Sequence, residues 1–335
     1  MIVSASRRTD IPSYFSEWFF NRIKEGYLYV RNPMNIHQIS KIALTPDVVD
    51  CIVFWTKNPV PMLKHLDELK DYMYYFQFTL TGYGKDMEAN LPDKKKVLIP
   101  AFKGLSEKIG ANRVIWRYDP IIFSKTYPAE YHLKAFETIA GELKGYTEKC
   151  VVSFVDIYSK NKTNMENSGS LELSDDELRS FAKDIVKIAS FNDMVVATCA
   201  EKIELSECGI EHNHCIDKEL IENLIGYKLK VGKDKVQRAE CGCFESMEVG
   251  TYNTCKNGCK YCYANYSPET VDSNFKLYDP ASPLLCSSPV SPMDKITERK
   301  VKSLKSEPLG GPVQLSLFDQ GRRSHQDCFS KISNN

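Results

Sequence analysis

Residues Cys255-Lys256-Asn257-Gly258-Cys259-Lys260-Tyr261-Cys262 follow the strand-like run Met247–Tyr252, and this loop constrains the rest of the chain most. Three thiolates on one short loop can hold three corners of a 4Fe-4S iron-sulfur cluster and leave the fourth iron without a protein ligand. The alternatives are half of a zinc site or three ordinary buried thiols. The first ten residues carry no long apolar stretch of a secretory signal, and no later run reaches the length of a membrane span. A cytoplasmic location is therefore expected. In the cytosol, twelve cysteines are better read as metal ligands than as structural disulfides. Cys51 and Cys150 read as small core residues, and Cys286 and Cys328 stand apart.

A chain of 335 residues can bury a large core, as one α/β barrel or two smaller domains. Short β-branched and aromatic runs alternate with runs of helical period, the pattern of a parallel sheet with crossover helices. The strands are expected at Ile2–Ser6, Cys51–Trp55, Tyr75–Leu80, Arg113–Tyr118, Val151–Asp156, Met194–Cys199 and Met247–Tyr252. Helices are expected over Tyr14–Lys24, Met62–Tyr72, Val97–Ile109, Glu130–Leu143 and Asp175–Ala189. The last opens on a capping box, Ser174-Asp-Asp-Glu177. The strands end in polar residues: Arg7, Arg8, Thr9 and Asp10, then Thr56 and Lys57, Thr81-Gly82, Asp119-Pro120, Asp156 and Glu201. In a parallel barrel such ends converge on one rim with the cysteine loop, where an active site is built. Singly each has a plain reading, since Asp before Pro sets turns and Asp10 can cap a helix.

Residues 199–243 interrupt this rhythm with thiols from separate segments, as an auxiliary Fe-S cluster or a structural zinc requires. The expected ligand set is Cys199, Cys215, Cys241 and Cys243, with Cys208 or His214 able to replace one of them; unliganded core cysteines are the plain alternative. A helix over Glu219–Leu229 is expected to pack on this segment. From residue 266 to 335 the composition turns to Pro, Ser and Lys, which predicts a flexible tail. The net charge of zero gives no bulk drive toward nucleic acid or membrane. Two basic runs are local candidates, Lys228 to Arg238 and Lys295 to Lys305, although a solvated face explains each as well.

The cysteine loop resembles the signature loop of radical S-adenosylmethionine (SAM) enzymes, a loop shared by the spore photoproduct lyases. Together with Cys241-Gly-Cys243-Phe-Glu-Ser, Tyr261-Cys-Tyr-Ala-Asn and Ser4-Ala-Ser-Arg-Arg-Thr-Asp10, it also resembles a bacterial family of unknown function, DUF1848, over most of residues 1–265. The resemblance implies a partial (β/α) TIM-like barrel in circularly permuted order, its last strand lying beside Ile2–Ser6. It implies a radical SAM enzyme that cleaves S-adenosylmethionine reductively to a 5′-deoxyadenosyl radical, with Tyr261 near the adenine. Arg7, Arg8, Lys57 and Arg117 are candidates to hold the SAM carboxylate or an anionic substrate. The Gly-Gly-Glu usual in such enzymes has no match, and Ser6-Arg7-Arg8-Thr9 stands in its place. An electron donor such as flavodoxin or ferredoxin follows from this chemistry. The rival reading is a non-catalytic iron-sulfur or zinc protein. Finally, Gln314-Leu-Ser-Leu-Phe318 resembles the pentapeptide that docks on the β sliding clamp, which points to DNA or a nucleotide as substrate and to DNA repair; a short tail segment folding back on the barrel is the plain alternative.

Overall fold

The computed structural model describes residues 1–155 and 162–310. Asp156 and the peptide Gln314–Phe318 lie outside the described residues. In chain order the strands are β1 (Ile2–Ala5), β2 (Tyr27–Asn32), β3 (Asn35–Ala43), β4 (Cys51–Thr56), β5 (Tyr74–Thr79), β6 (Val114–Ile121) and β7 (Lys149–Phe154). They continue with β8 (Val195–Thr198), β9 (Glu211–His212), β10 (Tyr227–Leu229), β11 (Met247–Glu248), β12 (Lys295–Glu298) and β13 (Lys305–Pro308). The main helices are α1 (Ser16–Glu25), α2 (Ile99–Ile109), α3 (Ala129–Leu143), α4 (Asp175–Phe191), α5 (Lys218–Ile225) and α6 (Pro268–Phe275).

Eight strands form one parallel sheet in the order β11-β1-β4-β5-β6-β7-β8-β9. The seven expected strands are all in it. The last of them, β11, pairs with the first, Val3 opposite Met247 and Ser4 opposite Glu248. Among the described residues the outer strands β11 and β9 do not pair with each other, so the ladder stays open.

Side chains alternate across each strand and sort the sheet into two faces. Val3, Phe54, Phe76, Trp116 and Val152 join the helix side, where they meet Phe19, Phe102, Phe136 and Phe181. Trp116 stacks on Phe136 with ring centroids 4.7 Å apart, and its indole N–H donates to the Leu80 carbonyl at 2.8 Å. Each such buried side chain contributes about 1.5–3 kcal/mol. The capping box of α4 is formed as expected.

The other face is apolar near the strand starts, with Ile2, Val53, Tyr75, Ile115 and Val151, and polar near the strand ends, with Gln77, Arg117 and Ser153. Its apolar part is covered by Ile216, Ile221, Leu229, Cys241 and Cys243. The Tyr75 hydroxyl donates to the Cys215 carbonyl at 2.6 Å and accepts from the Asp217 N–H at 3.1 Å. Gln77 donates to the same carbonyl at 3.1 Å. The thiol-rich segment is thus docked across the sheet by hydrogen bonds between sheet side chains and its main chain.

Three expectations are corrected. The helix expected over Met62–Tyr72 is only the turn Val60–Leu63 followed by a 3₁₀ turn, Leu66–Leu69. The one over Glu219–Leu229 stops at Gly226, whose φ of 72° ends α5 and frees β10. Residues 268–310, read from composition as a flexible tail, carry α6, β12 and β13. Their order is supplied by donors elsewhere: Trp18, Asn21 and Arg22 donate to the carbonyls of Ser282, Pro280 and Ala281. Phe275 and Tyr278 pack on Phe15, while β12 and β13 add to β3 and β10.

Tyr75→Phe leaves a buried N–H and part of a buried carbonyl without their partner. It should lower unfolding free energy by about 1–3 kcal/mol in urea denaturation; unchanged stability would show that the segment is not docked through this hydroxyl.

Candidate functional site

The polar ends of β1, β4, β5 and β6 and the cysteine loop after β11 surround one cavity of about 550 Å³. Asp10 is the knot that joins them. Its carboxylate is buried and accepts from the Ser13 N–H (3.1 Å), the Thr56 hydroxyl (2.7 Å), the Lys57 N–H (2.8 Å) and the Asn257 amide (3.1 Å). Burial pushes its pKa up, and these donors offset part of that. It caps a helical turn, as its plain reading allowed, but it also binds β1 and β4 to the cysteine loop. Nearby the Thr254 hydroxyl donates to Thr9 at 2.8 Å and the Tyr14 hydroxyl to Asn257 at 2.9 Å. Gly258 turns the loop at φ 67°, and a Cβ there would stand 3.0 Å from the Asn90 amide.

The opposite side of the loop rests on residues 84–91, which sequence reasoning passed over. Lys260 N–H donates to the Met87 carbonyl at 3.0 Å and Asn90 N–H to the Asn257 carbonyl at 3.1 Å. The centre of this contact is Glu88, 1% exposed. Its carboxylate accepts from Lys57 Nζ at 2.8 Å, from the Thr81 hydroxyl at 3.0 Å, and from Lys94 and the Tyr261 hydroxyl in shorter contacts. Burial raises its pKa, but the two ammonium groups outweigh burial and hold it down to about 2. No local signal marks Glu88 in the sequence: it lies in a loop without periodicity, and its four partners, Lys57, Thr81, Lys94 and Tyr261, are scattered along the chain.

All seven expected thiol ligands line the cavity. Cys255, Cys259 and Cys262 occupy one wall. Burial, then the charges of Asp10, Cys262 and Cys259, push the Cys255 thiol well up; burial raises Cys259 to about 12 although Lys57 counteracts it. Cys199, Cys215, Cys241 and Cys243 form a second group. Cys199 and Cys215 have their sulfurs 3.4 Å apart, Cys215 also hydrogen-bonds Cys243, and Cys243 hydrogen-bonds Cys241. The hydrogen bond from Cys243 draws the Cys241 thiol down to about 7. Arg117 donates to the Cys215 sulfur at 2.8 Å. Cys208 is elsewhere, in the helix-side core against the Arg179 carbonyl, and His214 is bonded to the Gly242 carbonyl at 2.5 Å. Among the described residues no three His, Cys, Asp or Glu side chains already stand arranged around a metal position. The residue types still fit a thiophilic group, because the thiols of each set face one cavity and perturb one another.

The four candidate cations separate by what holds them. Lys57 is committed to Glu88, and Arg117 to Asp119, which also accepts from Ser153. Arg7 lies 3.5 Å from Glu248 and 3.6 Å from Asp234, yet one of its terminal nitrogens, Nη1, is buried with no partner. Arg8 lies over the Tyr252 ring at 4.9 Å. Glu201 accepts from the Phe154 N–H at 2.9 Å, an anchoring role at the end of β7.

Among the described residues no helix is long and apolar enough to cross a membrane. No curated protein matches the chain. Among solved structures, a "putative alpha-L-fucosidase" from Bacteroides thetaiotaomicron VPI-5482 is 13% identical, over 54% of this chain and 84% of that one. Its TM-score of 0.28 is too low to carry an argument. A family model, by contrast, matches residues 2–264, the whole of the sheet and the cysteine loop. The chain therefore belongs to the family described as a domain of unknown function, DUF1848.

Proposed function

We propose that this protein is a radical SAM enzyme built on a partial (β/α) barrel in permuted order. One observation carries the reading: β11 pairs in parallel beside β1, so the loop that follows it brings Cys255, Cys259 and Cys262 to the polar end of the sheet and into a cavity. These three residues would hold the 4Fe-4S cluster. That group, when bound with S-adenosylmethionine at its open iron, supplies one-electron cleavage of the sulfonium.

The chain's own residues orient and enclose. Asp10 and Glu88 fix the two sides of the loop, so the thiols are held by buried hydrogen bonds rather than by loop stiffness. Tyr261 has its hydroxyl committed to Glu88 and offers the cofactor only its ring. With Lys57 and Arg117 neutralised by neighbouring carboxylates, a ligand carboxylate is left Arg8, which has no carboxylate partner among the described residues, and the unpartnered Nη1 of Arg7, whose other nitrogens face Glu248 and Asp234, in the place of the absent Gly-Gly-Glu. Cys199, Cys215, Cys241 and Cys243 form the second thiolate site, for an auxiliary Fe-S cluster or zinc, and Arg117 tempers its negative charge. A cytosolic flavodoxin or ferredoxin is the electron source this chemistry calls for. Docking of Gln314–Phe318 on a sliding clamp stays a proposal from sequence.

Protein prepared without oxygen and reduced with dithionite should convert S-adenosylmethionine to 5′-deoxyadenosine. Replacing Cys255, Cys259 and Cys262 together by Ala should abolish this and remove about four irons per chain. Iron that survives the replacement reports an auxiliary cluster, and zinc alone a structural second site. No cleavage by well-loaded protein would contradict the reading and favour a non-catalytic metal protein.

Glu88→Gln removes the buried charge that faces two part-buried ammonium groups, a loss of about 3–5 kcal/mol. Urea unfolding of the metal-free protein should show it. A loss below about 1 kcal/mol would mean that Lys57 and Lys94 find water or other partners.

A further inference from the structure

The two basic runs are separated in sequence by some sixty residues, and the fold joins them. Strand β10 pairs antiparallel with β13, Leu229 opposite Lys305, and the Lys230 N–H donates to the Leu304 carbonyl at 2.8 Å. Lys230, Lys235, Lys300 and Lys302 thereby line one groove of about 670 Å³ together with Arg7 and Arg8. A second concavity, sharing Arg8, adds Lys295 and Arg299. Among the described residues Lys230, Lys235, Lys300 and Lys302 make no ion pair. The acids of the groove are already engaged, Asp234 and Glu248 by Arg7, which leaves the carboxylate of Glu245. A protein with no net charge has concentrated cations beside its cavity.

The groove leads inward. Arg7 and Arg8 line both it and the thiol cavity, and Tyr263, 45% exposed, borders both as well. Tyr252 lines the groove beneath Arg8, and Trp55 lines the cavity with Arg7 at 5.9 Å. Cations interleaved with aromatic rings along a concave track suit a single strand, whose phosphates meet ammonium groups and whose bases stack on rings. A bilayer surface cannot follow a concave track.

We propose that this groove binds single-stranded nucleic acid, its phosphates along Lys230, Lys235, Lys300 and Lys302, and that one base passes Arg7 and Arg8 into the cavity. Only the entry of the base rests on the radical SAM reading. Binding of the strand depends on the groove alone and is measured on the protein as purified, without reductant or S-adenosylmethionine, so the two can fail separately.

The test is fluorescence anisotropy of labelled oligothymidylate and oligouridylate with the full chain over a range of salt. At least one should bind, and log K should fall linearly with log salt. Two paired variants, Lys230→Ala with Lys235→Ala and Lys300→Ala with Lys302→Ala, should each flatten that slope by about 0.7 per lysine without lowering the melting temperature. Lys70→Ala with Lys134→Ala, exposed elsewhere, should leave it unchanged. Three results would overturn the proposal: neither oligonucleotide binds at low salt, groove and control variants behave alike, or phosphatidylserine vesicles displace the strand.

Discussion

A buried carboxylate with four donors has one low-energy position, and Asp10 imposes that position on three segments. The first is its own turn after β1, the second the Thr56-Lys57 end of β4, and the third the cysteine loop through Asn257. Loops at strand ends are ordinarily the mobile part of a parallel sheet. Here the loop that must present three thiols is tied to two strands far from it in sequence. Glu88 does the same from the other side, so the wall of the cavity is set by two carboxylates and not by the thiols themselves.

Burying such groups is costly, and the compensation tells which charges remain for chemistry. Glu88 stays ionised because Lys57 and Lys94 stand against it, and Asp119 is matched by Arg117 and Ser153. Those pairs are internally satisfied and have little left to offer a ligand. Arg7 is different: it is held by two carboxylates at ion-pair distance while one nitrogen finds no acceptor. A buried donor without an acceptor costs about 1–3 kcal/mol, which a ligand oxygen would recover. The position of Arg7 between the cavity and the basic groove makes it the junction of the two functions proposed.

Much of the sheet was legible because its strands carry β-branched runs and its helices carry apolar faces such as Phe136, Ile139 and Leu143. The neighbourhood of β11 and β1 was implied by the resemblance of the cysteine loop to one that normally follows a first strand, and not by spacing or composition. Spacing failed at Met62–Tyr72, since apolar residues three and four apart suit a 3₁₀ turn as well as an α-helix. It passed over the hairpin of β2 and β3, since the first half of β3 is exposed and largely polar. Composition failed for residues 268–310 because their partners are side chains of α1, remote in sequence. In the site the thiols were legible as residue types, while Glu88 was not, and the commitments of Lys57 and Arg117 were invisible without their carboxylates.

Whether Cys255, Cys259 and Cys262 hold a cluster with an open iron is tested most directly by electron paramagnetic resonance of the anaerobically reduced protein, with and without S-adenosylmethionine. The predicted result is a reduced 4Fe-4S signal that shifts when S-adenosylmethionine is added and is lost in Cys259→Ala. Zinc in place of iron, or a signal that S-adenosylmethionine leaves unchanged, would contradict it.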